Sequence, residues 1–143
     1  MPEIWNIIKS FRFYNAIAVL AVLEGLLILA GVLPPISSYS AGIVAFSLAQ
    51  MAVVAYMGIS LAKIGFKKVA VKGALAGLVM MAVVSVFSVI GYMYGIPVLG
   101  IPVQSAAYLP VALISMAIAN ALLFAAFAVV GALLVPKKTT KKK

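Results

Sequence analysis

Lys63-Ile64-Gly65-Phe66-Lys67-Lys68-Val69-Ala70-Val71-Lys72 concentrates four basic residues in ten positions, and on either side of it charge almost vanishes. Between Arg12 and Lys63 lie 50 residues with a single charged one, Glu24; between Lys72 and Lys137 lie 64 with none. A helix that crosses a membrane needs about 20 apolar residues. Each stretch therefore has room for two spans and the turn that joins them. The turns are legible as clusters of helix-breaking residues. Gly31-Val32-Leu33-Pro34-Pro35-Ile36-Ser37-Ser38 interrupts the first stretch, and Gly95-Ile96-Pro97 through Gly100-Ile101-Pro102 the second. The expected fold is all-α, one unit over 1–143, with four hydrophobic membrane-type helices near 14–33, 41–62, 73–94 and 109–135. They are expected as two hairpins, 14–62 and 73–135, followed by a basic tail, 136–143. Pro110 suits a first helical turn, and Pro136 stops the last helix before the lysines.

Composition points to the same solvent. Hydrophobic residues make up 66% of the chain and charged residues 9%, against roughly 45–50% and 25% in an ordinary soluble domain. Too few polar side chains are present to cover a water-facing surface. The surroundings must be lipid, or the surface must be buried against many copies of the same chain.

The missing residue types exclude whole classes of chemistry. The chain has no Cys, no His and no Asp, and its only acids are Glu3 and Glu24. Disulfides, thiol chemistry and the common zinc and haem ligand sets are absent. So are the usual general base and any catalytic triad. The expectation is a protein that is not an enzyme, with no cofactor and no metal. The first apolar run follows Lys9 and Arg12 as a secretory signal would. No small-residue cleavage pattern closes it, so it reads as a retained helix.

All eleven basic residues fall into three groups: Lys9 and Arg12; Lys63, Lys67, Lys68 and Lys72; and Lys137, Lys138, Lys141, Lys142 and Lys143. With four spans, all three groups reach the same side. Cytoplasmic loops carry the excess of Lys and Arg in membrane proteins, which puts both termini on that basic, cytoplasmic side. The opposite side carries no charge. Its longer turn repeats Gly95-Ile96-Pro97-Val98-Leu99 as Gly100-Ile101-Pro102-Val103, and is expected to pack against protein or to lie in the lipid interface. A shift of 70 residues aligns Gln50 with Asn120 and Lys67-Lys68 with Lys137-Lys138, while a shift of 60 aligns Arg12 with Lys72 and Gly31 with Gly91. A helical hairpin used twice would give this pattern; so would coincidence in an alanine-rich chain.

Inside the apolar segments, small residues recur at helical spacing. Ala41, Ala45 and Ala49 form one stripe, Ala117, Ala121 and Ala125 another, and Gly73 and Gly77 a GxxxG pair. Such stripes let helix backbones approach closely where lipid supplies no hydrophobic drive. Gln50 and Asn120 are amides at mid-span that need partners, either each other or Glu24. Glu24 is the sharpest single residue, expected about halfway along the first span, where a carboxyl costs about 2.5–3.5 kcal/mol on insertion scales. It is either a protonated, hydrogen-bonded structural group or a carrier of protons or cations. Four spans with a Glu in the first resemble the small multidrug-resistance transporters in outline. Those proteins also carry aromatic and Gly-rich positions in later helices that have no counterpart here, and their turns are shorter.

The tail Lys137-Lys138-Thr139-Thr140-Lys141-Lys142-Lys143 has no aromatic residue and no base-reading motif. It can bind phosphates by charge alone, whether lipid headgroups or nucleic acid. The two apolar hairpins, the charge-free turns, the absence of Cys and the basic groups facing one way resemble a second family, the capsid proteins of spindle-shaped archaeal viruses. These are small hydrophobic helical hairpins that reside in the host membrane before assembly. The resemblance covers nearly the whole chain but is one of architecture and composition. It implies a virion coat protein whose partners are many copies of itself, membrane lipid before assembly, and double-stranded DNA bound without sequence preference. Lys63, Lys67, Lys68, Lys72 and the terminal lysines would then face DNA, with Gly73, Gly77, Ala45, Ala49, Ala121 and Ala125 packing helices. Nothing in that pattern requires Glu24, which leaves a small four-span proton-coupled transporter as the other reading.

Overall fold

Four long apolar helices account for most of the chain: α1 (Pro2–Leu29), α2 (Ala41–Leu61), α3 (Phe66–Met93) and α4 (Leu109–Leu133). A computed structural model describes residues 2–136, with the side chains of residues 2–7, Val103 and Ala106 outside that description. The tail lysines Lys137, Lys138, Lys141, Lys142 and Lys143 also lie outside the described residues. All four helices are long and apolar enough to cross a membrane. At 1.5 Å per residue, the 28 residues of α1 and of α3 reach about 42 Å, beyond a hydrocarbon core of about 30 Å. The molecule is a small hydrophobic four-helix bundle of membrane type.

Two helices start earlier than the charge pattern suggests. α1 begins at Pro2 rather than near residue 14, and α3 at Phe66 rather than near 73. Lys9, Arg12, Lys67, Lys68 and Lys72 therefore sit on helix, not in loops. Lysine and arginine are good helix formers, and a helix continues through the polar interface where their charges meet water. α1 also stops at Leu29, four residues short of the expected 33. Gly31, at φ 72°, takes the left-handed conformation that closes it. The Gly31 N–H donates to the Ile28 carbonyl (3.0 Å) and the Val32 N–H to that of Leu27 (2.9 Å), satisfying carbonyls the helix end leaves open. Gly95 (φ 73°) closes α3 in the same way, with the Ile96 N–H on the Gly91 carbonyl at 2.7 Å. α2 is started by Ser40, whose side chain accepts the Ile43 N–H, and α4 carries Pro110 in its first turn.

α1 packs on α2 and α3, and α4 packs on α2 and α3; the diagonal pairs scarcely meet. In cross-section the order is a ring, α1–α2–α4–α3. The α3–α4 interface is the most extensive and α1–α2 the least of the four sides. Its tightness comes from glycine. A Cβ added at Gly77 would stand 2.6 Å from the Asn120 carbonyl oxygen and 2.9 Å from the Ala121 Cα; one at Gly73 would stand 2.9 Å from the Ala125 Cα. α2 and α4 approach as closely, with Gly58 against the backbone of Ala128 and Gly131 against that of Ala55. The core between them holds Ile17, Val54, Met57, Leu61, Val69, Ala76 and Phe124. Much of the apolar perimeter is uncovered: Val19, Leu48, Val86, Val111, Ile114, Ile118 and Leu122 are all exposed. That is the surface expected where the solvent is lipid.

Candidate functional site

Ile17, Ala21, Glu24 and Ile28 form the buried stripe of α1, at spacings of four, three and four residues. A helix presents such positions on one face. Glu24 thus occupies a core position by register and is only 3% exposed. On α2 the buried positions are Ile43, Gln50, Val54, Met57, Gly58 and Leu61, which brings Gln50, 1% exposed, to the same interface. The Gln50 amide donates from Nε2 to Glu24 Oε2 at 3.2 Å. This bond ties α1 to α2 across the least extensive side of the ring. Because α1 runs over 2–29, Glu24 lies five residues from its end, nearer the uncharged side than the halfway point that the shorter helix implied.

The second amide has other partners. Asn120 donates through Nδ2 to the Met116 carbonyl on its own helix (2.9 Å) and approaches the Met81 sulfur on α3 (3.4 Å). Of the two arrangements open for the amides, Gln50 takes Glu24, and Asn120 bonds neither. The buried hydroxyl of Ser88 turns back to the Val84 carbonyl at 2.7 Å. Glu24 and Gln50 therefore form a polar pair that crosses between helices inside an apolar core.

The other candidate residues spread over two ends of the bundle. Gly73 and Gly77 are buried on α3, and Ala121 and Ala125 are half-buried opposite them on α4. On α2, Ala49 is half-buried and Ala45 is exposed. Lys63, Lys67 and Lys68 are exposed around the α2–α3 connection, and Lys72 is half-buried one turn further along α3. Two open grooves lie on the basic side. One of about 670 Å³ runs between Lys63, Phe66, Leu133 and Pro136; the other, of about 710 Å³, lies between α1 and α2 below Lys9 and Arg12. Neither is lined by Glu24.

At the uncharged end the Gly-Ile-Pro-Val turn packs on the bundle. Val98 and Leu99 are buried, and the Ile36 N–H donates to the Val98 carbonyl at 2.9 Å, joining the two turns. Around them Tyr39, Tyr94 and Tyr108 are 82%, 76% and 69% exposed. Tyrosine gathers at membrane–water interfaces because its ring is apolar and its hydroxyl polar. Sequence reading passed over these three, although each flanks a span end. The chain matches no protein family, no curated protein and no solved structure.

Proposed function

We propose that the protein is a small four-span membrane transporter in which Glu24 takes up and releases a proton, with both chain ends on the cytoplasmic side. The observation that carries this reading is the buried Glu24–Gln50 pair, 3.2 Å apart across the α1–α2 interface. An ionisable group within a span is costly, and it is retained where ions or protons move. The geometry suits exchange. Gln50 occupies Oε2 as a hydrogen-bond donor, leaving Oε1 as the atom that gains or loses the proton. Gain of the proton neutralises the carboxyl; its loss creates an anion that holds a cation in the proton's place. The α1–α2 side is the least extensively packed, so separation of these helices is the motion that opens Glu24 to either aqueous phase.

The test is reconstitution of the purified protein in liposomes carrying an internal pH indicator. The parent should move protons when a gradient of an organic cation that does not cross the bilayer unaided is applied. Glu24→Gln should lose that flux while keeping the helix content of the parent. Equal flux from both would remove Glu24 from the mechanism.

A second reading, a coat protein around DNA, has one observation in its favour: Lys63, Lys67 and Lys68 are exposed together at one end. Phosphate binding by these and the tail lysines would fall with salt at a log–log slope of about −0.9 per duplex contact. Co-sedimentation with unrelated duplexes across a salt series tests the coat reading, which requires DNA binding: absence of binding at low salt removes it.

A further inference from the structure

The groove between α1 and α2 on the basic side has a graded lining. Lys9, Arg12, Phe13 and Ala16 come from α1 at spacings of three, one and three residues, and Ala52, Val53, Tyr56 and Ser60 from α2. The two helices run in opposite directions, so Ser60 lies level with Lys9 and Arg12 at the end that meets water, while Ala16, Ala52 and Val53 lie deeper. Two pairs of side chains give the groove its form. Ala16 and Ala52 are small, which leaves a furrow, and Phe13 meets Tyr56 edge-on with ring centroids 6.0 Å apart and planes at 67°. Arg12 is exposed and Lys9 half-buried.

We infer that this groove is a binding site for one anionic phospholipid, its phosphate held by Arg12 and Lys9 and an acyl chain laid between Ala16 and Ala52. Three observations converge on that occupant. The cations sit at the basic end of the helix, because α1 carries no Lys or Arg after Arg12. Arginine presents a planar fork of donors that matches phosphate oxygens. Basic pockets between spans on the cytoplasmic side are where acidic headgroups dock, and a volume of about 710 Å³ accommodates the headgroup with the upper part of a chain. The long stems of Lys and Arg lie along apolar surface while their charged heads stay in the polar interface. The site stands apart from Glu24, so it holds whether or not the chain transports protons.

The test uses the full chain in vesicles of equimolar phosphatidylcholine and phosphatidylglycerol, extracted gently and examined by native mass spectrometry for retained lipid. The parent should retain one phosphatidylglycerol in preference to phosphatidylcholine. Each basic residue near an anionic headgroup is worth about a five-fold preference. The double variant Lys9→Gln/Arg12→Gln should therefore lower the phosphatidylglycerol ratio by about 25-fold. Ala52→Leu, which fills the deeper half of the furrow without touching a charge, should also release the lipid. Lys63→Gln/Lys67→Gln/Lys68→Gln, which removes charge elsewhere on the same side, should retain it. No preference in the parent, equal loss in the two charge variants, or full retention by Ala52→Leu would each overturn the assignment.

Discussion

Gly77 is the position where the packing of this bundle can be tested most sharply. A Cβ there stands 2.6 Å from the Asn120 carbonyl oxygen, where an ordinary contact begins at 3.4 Å. Both neighbours on α4 are backbone, so no side chain can swing away. Gly77→Ala therefore requires α4 to withdraw by about 0.8 Å, the difference between those distances. A gap of that size forfeits a quarter to a half of the dispersion energy of the contacts around it. Overpacking of this kind costs about 1–3 kcal/mol, while the alanine recovers about 1 kcal/mol of helix propensity. The net loss is about 1 kcal/mol for Gly77→Ala, and larger for Gly77→Leu, whose four carbons have no space beside α4. The assay is unfolding in mixed micelles with rising dodecyl sulfate, followed by circular dichroism. Leu78→Ala on the exposed face of the same helix provides the control and should change stability much less than Gly77→Leu. If Gly77→Leu unfolds with the parent, α3 and α4 do not meet at this glycine and the bundle geometry is wrong.

The two amides should respond differently in the same unfolding assay. Gln50→Leu leaves Glu24 without its donor in an apolar interface, at a cost of about 1–3 kcal/mol. Asn120→Leu removes bonds to Met116 and Met81 but orphans no charged group, and should cost under about 1 kcal/mol; a larger effect from Asn120 would contradict the pairing. Topology is tested with single cysteines in membrane-inserted protein. Cysteine at Ser38 or Gln104 should react with an impermeant label from one side, and cysteine at Lys63 or Lys68 only from the other. Reaction of both sets from the same side would rule out the single span that separates them on each side, α2 or α3.

The number of helices and their turns were legible because charge and helix breakers are local signals that bilayer thickness converts into spans. Where α1 and α3 begin was not, since the basic residues mark the membrane interface and the helix runs on through it. Glu24 and Gln50 could be singled out by type and depth in an apolar run. Their pairing with each other, rather than Gln50 with Asn120, depends on α1 and α2 lying side by side while Asn120 faces Met81. The contacts of Gly58 with Ala128 and Gly131 with Ala55 were invisible for a related reason. Each half reads as an isolated small residue in an apolar helix, and only the ring order α1–α2–α4–α3 brings them together. The exposed tyrosines were legible in principle, because Tyr39, Tyr94 and Tyr108 each border a break already read from glycine and proline.

Whether Glu24 exchanges a proton or merely fills a hydrogen-bonding position is decided most directly by infrared difference spectroscopy of the protein in a lipid film, stepped in pH and compared with Glu24→Gln. A carrier predicts a carboxylic-acid carbonyl band in the parent that gives way to carboxylate bands as pH rises, with both changes missing from the variant. A carbonyl band that the variant lacks but that persists unchanged across the whole pH range would show a permanently neutral structural group, and would contradict the transport account.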